Sequence, residues 1–175
     1  MEYRELNAAE IGRELFSGFI RRQVVNDCLR RVDGEWVIRS DPFVDDWSEE
    51  DYAFLVKCLR NTVTSGGVVY GAFENGILKG FASVEPQIFG GEQKYADLTS
   101  IHVSRDMRGR GIGRVLFGKA CEWAKAHGAE KLYISSHSAV ESQAFYKAMG
   151  CVDAEVCSEE HVRAEPFDRQ LERKL

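Results

Sequence analysis

One stretch limits what this chain can fold into: Val103-Ser104-Arg105-Asp106-Met107-Arg108-Gly109-Arg110-Gly111-Ile112-Gly113-Arg114. An extended apolar run, Leu98 to Val103, leads into it. Beyond it, Ile112, Val115, Leu116, Ala120, Trp123 and Ala124 recur at helical spacing, the buried face of an amphipathic helix. The stretch therefore joins a strand to the start of a helix. A helix start leaves backbone amides unpaired and carries partial positive charge. Glycines let a ligand approach the backbone, and Arg105, Arg108, Arg110 and Arg114 add full charges. That combination suits a phosphate or pyrophosphate. The plainer alternative is a tight glycine turn with solvated arginines.

Two phosphate fingerprints fail here. No Gly-x-x-x-x-Gly-Lys-Ser/Thr run exists, and in the dinucleotide pattern the third glycine comes one residue early, at Gly113, with Arg114 in its place. What remains, Arg108-x-x-Gly111-x-Gly113, resembles the Arg/Gln-x-x-Gly-x-Gly/Ala signature of the GNAT acyl-CoA N-acyltransferases. Further along, Phe145-Tyr146-x-x-x-Gly150 also resembles that family. It lies on a short helix that Ser138-Ala139-Val140-Glu141 should open as a capping box and Gly150 should stop. The resemblance covers about Val68 to Val156 well and the N-terminal third poorly.

The resemblance implies a mixed α/β fold, a largely antiparallel sheet flanked by helices. It implies one domain over residues 1–175, with 1–67 on the acceptor side and 68–175 forming the cofactor core and the last strands. Acetyl-CoA would be the co-substrate, with an amine as acceptor and no metal. Arg108, Gly109, Arg110, Gly111, Ile112, Gly113 and Arg114 would hold the pyrophosphate. The thioester arm would pair with the backbone around Ile101, His102 and Val103, while the His102 side chain alternates to the other surface. An asparagine often found early in the tyrosine helix is absent, so Ser138 or Ser142 would make its contact. Cys151 replaces an aromatic that often follows the last glycine.

Acetyl transfer to an amine needs a held donor, a neutral amine and a protonated leaving thiolate. Tyr146 is the expected acid, since a phenol of pKa about 10 can protonate a thiolate of pKa about 8.5. Asp97, on the strand before the loop, is the expected base, acting through water, and Glu85 is its rival. A solvated strand-end carboxylate is the plainer role for either. His137 falls near the expected cleft, where a helix-entry hydrogen bond is its simpler use.

Composition adds limits. Hydrophobic residues make up 44% and charged residues 29%, ordinary values for a soluble globular chain. A net charge of −5 gives nucleic acid no obvious foothold. No run approaches the ~20 apolar residues that cross a bilayer, and the start lacks a signal pattern, so no membrane partner and a cytoplasmic location are expected. The five cysteines lack zinc-type spacing. They are expected as reduced thiols, with Cys151 and Cys157 on one face of a strand.

In chain order, Tyr3 to Leu6 reads as a strand, and Asn7 with Glu10 opens a helix bearing Ile11, Leu15, Phe16 and Phe19. Gln23 to Val32 and Glu35 to Arg39 flank Asp33-Gly34 as a hairpin, or a helix ends near Gly34. Ser48 to Asp51 caps a helix with Tyr52, Leu55, Val56, Leu59 and Val63 on one face, ended by Gly66-Gly67. Val68 to Glu74 and Ile77 to Glu85 form a hairpin at Asn75-Gly76. Pro86 to Glu92 reads as a loop, Lys94 to Val103 as a strand, and the next helix runs to about His127. Leu132 to Ser135, Cys151 to Cys157 and Phe167 to Leu175 read as strands, and Glu159 to Glu165 as a polar loop.

The acceptor pocket should come from the N-terminal segment. There Asp41, Asp45, Asp46, Glu49, Glu50 and Asp51 interleave with Trp36, Phe43 and Trp47, a mixture that suits a cationic amine. Several of these acids also suit a helix start without any ligand. The acceptor class stays open among small amines, antibiotics, polyamines and protein amino groups. A silent acyl-CoA-binding module on the same fold, or a nucleotide-binding domain of another kind, are the competing classes. A homodimer is compatible with the sequence.

Overall fold

The computed structural model describes residues 1–175. In chain order the strands and helices are β1 (Glu2–Glu5), β2 (Gln23–Val32), β3 (Glu35–Asp45), α1 (Glu49–Thr64), β4 (Val68–Glu74), β5 (Ile77–Phe89), β6 (Tyr95–Val103), α2 (Ile112–Ala126), β7 (Lys131–Ser136), α3 (Val140–Ala148), β8 (Val152–Asp153), α4 (Glu159–Ala164) and β9 (Arg169–Lys174). Seven strands make one sheet in the order β1-β4-β5-β6-β7-β9-β8, and β2 and β3 form a separate hairpin. Every pair in the sheet is antiparallel except β6 with β7. This is the mixed, largely antiparallel α/β fold that the sequence implies.

Local chemistry explains most of the elements. Asp33-Gly34 and Asn75-Gly76 all have positive φ, the geometry of a tight type I′ hairpin turn, so the strand reading of residues 23–39 holds over the helical one. Helix α1 starts with a full capping box: Asp51 N–H donates to Ser48 Oγ at 3.2 Å, and Ser48 N–H donates to Asp51 Oδ2 at 2.8 Å. The two faces of the sheet carry different layers. On one, Ile112, Leu116, Ala120 and Ala124 of α2 pack over Tyr70, Ala82 and Leu98. On the other, Phe16, Phe19, Tyr52 and Leu59 pack over Val69, Leu78 and Phe81. Gly80 lets α2 come close, since a Cβ there would sit 2.9 Å from the Ile112 side chain.

Several expectations are corrected. The helix after Asn7 is only a hydrogen-bonded turn and a single 3₁₀ turn at Arg13–Phe16, because Gly12 is extended and breaks it. Ile11, Phe16 and Phe19 nevertheless reach the core. Strand β5 passes through Pro86 to Phe89, since a register shift between Val84 and Ile88 removes the need for a proline N–H. The strand expected over Cys151–Cys157 shrinks to Val152–Asp153, and Val152 and Val156 are exposed rather than half-buried. Cys151 is partly buried and Cys157 exposed, so the shared face is lost. The segment after Ser158 is a helix, capped by the Ser158 hydroxyl, not a loop.

Candidate active site

Strands β6 and β7 are paired only at Tyr95, Ala96 and Asp97. From Leu98 onward β6 keeps its partner β5 on one side and has no strand on the other. A cavity of about 760 Å³ opens at this parting, lined by Leu98 to Val103 along one wall and by Ser135 and His137 on the other. The glycine loop closes one end of the cavity, and Ser142, Phe145, Tyr146 and Met149 of the α3 region close its side.

The loop is built to present amides. Gly109 and Gly111 have φ of 76° and 80°, a left-handed conformation that glycine adopts without strain. The amides of Gly109 through Arg114 donate to no protein acceptor, and the first bond of α2 comes from Val115. Gly113 lets α3 close in, since a Cβ there would lie 3.2 Å from the Phe145 ring. Arg108 turns back rather than outward: Nε donates to Val103 O at 3.2 Å and Nη2 to Arg21 O at 3.0 Å. It therefore braces the loop against the end of β6.

The structure brings Ile101, His102, Val103, Arg108, Gly109, Gly111, Ile112, Gly113, Arg114, Ser142 and Tyr146 together around this cavity. Arg110, Ser138 and Asp97 do not line it. Ser138 precedes the N-cap, which is Ala139 without a side-chain bond, so the expected capping box is absent. Its hydroxyl is occupied by Arg30 Nη1 at 2.7 Å, and its carbonyl accepts from Leu29 N–H at 2.8 Å. The β2–β3 hairpin is thereby docked on the turn before α3. Asp97 is turned away from the cavity, with Oδ2 lying 2.6 Å from His161 Nε2. Glu85, its rival, accepts from the Thr62 hydroxyl at 2.5 Å and lines neither this cavity nor the next.

Tyr146 is buried, with its ring against Phe117 and Phe145, and its hydroxyl makes no protein hydrogen bond. Burial pushes the phenol above its ordinary value, and the charges of Cys151 and Asp168 add to this. It stays protonated. The His102 ring sits on the opposite face of β6, 4.9 Å from the Trp47 ring and 5.2 Å from Phe81, so only its strand position serves the cavity. Burial, then Arg21 and Arg108, push its pKa down to about 3.

A second cavity of about 550 Å³ adjoins the first. Phe43, Val44, Asp45 and Asp46 at the end of β3 form one side, and Glu165 and Asp168 the other. His102, His137 and Asp168 line both cavities. Of the acids noted in the N-terminal segment, Asp45 and Asp46 reach this space. Asp41 is bound to Arg30, Glu49 to Arg13, and Asp51 to the helix cap. Sequence reasoning missed Arg21, Glu165 and Asp168. Arg21 pairs with Asp45 and lies with its guanidinium 4.9 Å from the Trp47 ring centroid. Glu165 and Asp168 flank Pro166 in an irregular link with no periodicity to read.

The cavity thus has an amide-lined loop at one end, an unpaired strand edge along the middle and a phenol beside it. The family model of the GNAT acetyltransferases matches residues 34–151, and the chain belongs to that family. No curated protein matches it by sequence. Among solved structures, one from Bacillus anthracis is that of a candidate streptothricin acetyltransferase in complex with acetyl coenzyme A. It shares 18% identity at a TM-score of 0.69, over 98% of this chain and 95% of that one. The paia N-acetyltransferase of Thermoplasma acidophilum, in complex with coenzyme A, aligns at 16% identity and TM-score 0.58 over 99% and 98%. The ribosomal-protein-alanine N-acetyltransferase of Brucella melitensis aligns at 20% and 0.61 over the whole of both chains. At such identities the likeness is one of fold.

Proposed function

We propose that the protein moves the acetyl group of acetyl-CoA to a cationic primary amine, by direct attack while both are bound. The observation that carries this reading is the meeting of two cavities at His102, His137 and Asp168, one lined by Tyr146 and bordered by free loop amides and the other bordered by carboxylates. The amides of Gly109 to Arg114, with Arg114 beside them, suit the pyrophosphate. The open edge of β6 at Ile101 to Val103 offers backbone groups to the pantetheine arm, as an added strand would use them. Ser142 borders the same channel.

The amine enters from the second cavity, where Phe43, Asp46 and Glu165 suit a positive charge. Attack on the thioester carbon forms the C–N bond and breaks the C–S bond. Tyr146 gives its proton to the departing sulfur and takes one back from the new amide nitrogen. The protein thus supplies alignment and a positioned acid.

The test is release of free thiol from acetyl-CoA across a panel of amines, with the wild type beside Tyr146→Phe. Amine-dependent release that falls about 100-fold in the variant, with coenzyme A binding kept, is expected. Tight coenzyme A binding without release from any amine points to a silent binding module instead. Failure to bind coenzyme A removes the reading of the loop.

A further inference from the structure

We propose that Asp168 is the base that takes the proton from the acceptor's ammonium group before attack. This rests on the transfer reaction proposed above and names a catalytic residue for it. The argument is one of place and of elimination. An alkylammonium of pKa about 10.4 is almost wholly charged at neutral pH and must lose a proton to become a nucleophile. The base must reach the point where amine and thioester meet, and only residues bordering both cavities do so: His102, His137 and Asp168.

The histidines are poor acceptors. His102 is wedged between Trp47 and Phe81, with Arg21 and Arg108 nearby disfavouring a further positive charge. His137 already accepts the Ala139 N–H on Nδ1 at 3.2 Å, which occupies that lone pair and leaves Nε2 to face the cavity as a donor. Its backbone carbonyl accepts from Gln143 Nε2 at 2.9 Å, which fixes the turn that carries it. The remaining carboxylates are out of reach or committed. Asp97 is bound to His161, Glu85 to Thr62, and Asp45 to Arg21, while Asp46 and Glu165 border only the second cavity and Glu141 only the first.

Asp168 has the features the task requires. It follows Pro166 and Phe167 at the entry to β9, and the Ser135 hydroxyl on β7 donates to Oδ2 at 3.2 Å, which orients the carboxylate. Burial raises its pKa, opposed by the Ser135 bond and His137 and helped by Glu165, so it binds a proton more readily than an exposed aspartate. His161 of α4 also faces it, and the Asp168 charge is felt by Tyr146. The base and the acid therefore stand on separate elements, and both border the first cavity. The ammonium proton moves to the carboxylate, the amine lone pair attacks the carbonyl carbon, and the protonated Asp168 releases its proton to solvent through the second cavity. Tyr146 closes the second proton transfer, so the two groups need no direct exchange.

The experiment compares wild type, Asp168→Asn and Asp97→Asn with two probes on one skeleton, ethylamine and 2,2,2-trifluoroethylamine. The fluorines make the second amine largely neutral at working pH. Asp168→Asn should lose about 100-fold in kcat/KM with ethylamine and less than about 10-fold with the fluorinated amine. Unchanged binding of coenzyme A will show that the variant is folded. Asp97→Asn should keep the wild-type ratio between the two amines. Equal loss on both amines assigns Asp168 a merely structural role and overturns the proposal, as does a selective loss in Asp97→Asn instead. Unaltered Asp168→Asn with an active wild type overturns this proposal alone. Absence of amine-dependent thiol release from the wild type overturns it together with the transferase reading.

Discussion

His161 Nε2 lies 2.6 Å from Asp97 Oδ2, and this bond fastens α4 to the middle of the sheet. The same short segment is held at its start by Ser158 N–H, which donates to Tyr133 Oη at 2.8 Å. Beyond the helix, the chain carries Glu165 and Asp168 into the cavities.

The bond to Asp97 raises the His161 pKa, against an opposing effect of burial. A raised folded-state pKa means the contribution to stability is complete below about 6.5 and fades as pH climbs through the shifted value. Amide exchange over residues 159–168, corrected for its intrinsic pH dependence, should therefore speed up on the alkaline side. His161→Gln should remove that dependence. A wild-type profile as flat as the variant's would show that the pair does not hold the segment.

His102 behaves in the opposite sense. Its folded pKa of about 3, set first by burial and then by Arg21 and Arg108, lies far below the ordinary value near 6.5. Between those values the unfolded chain binds a proton that the folded chain refuses, so stability falls as pH drops. The melting temperature of wild type should fall more from pH 7 to pH 5 than that of His102→Gln. NMR signals of the His102 ring should not titrate across that interval.

The sequence exposed the cofactor side of this molecule far more clearly than the acceptor side. Gly109, Gly111 and Gly113 are readable because glycine at a strand-to-helix junction has few other reasons to be there, and the helical stripe from Ile112 to Ala124 fixes its direction. Tyr146 follows from a second spaced motif. The resemblance points to Asp97 as a base, with Glu85 as its rival, yet side-chain direction at Asp97 depends on His161, which lies far away in sequence. Asp168 and Glu165 reach the site only because β9 returns beside β7, and no local pattern encodes that return. Ser138 failed as a cap because Arg30, from a hairpin remote in sequence, claims its hydroxyl.

Arg108 supplies a test of the bracing role. Its Nε and Nη2 reach two different carbonyls, Val103 O and Arg21 O, so the planar fork ties the loop to β6 and to the segment before β2. A lysine ammonium cannot span both in that geometry. Arg108→Lys should weaken coenzyme A binding about 10-fold, since each charge-assisted bond contributes roughly 1.5–3 kcal/mol, and loosen amide exchange at residues 105–111. Binding and exchange equal to wild type would assign the arginine to a free surface charge instead.

Two glycines on the same helix should answer the same substitution differently. At Gly118 a new Cβ meets nothing within 4 Å, so Gly118→Ala should stabilise the fold by about 0.5–1 kcal/mol through helix propensity and raise the melting temperature by roughly 1–4 °C. At Gly113 the Cβ would press on Phe145 Cε2 at 3.2 Å and Cζ at 3.5 Å. The Phe145 ring lies 5.1 Å from that of Tyr146, centroid to centroid, so any yielding of Phe145 is felt by Tyr146. Gly113→Ala should therefore lose turnover and coenzyme A affinity while changing stability little, because propensity gain and ring displacement offset each other. Thermal melts and thiol-release assays on the two variants give the comparison. Full turnover in Gly113→Ala would mean that α3 has room to move, and that the tight approach at Gly113 does not set the position of Tyr146.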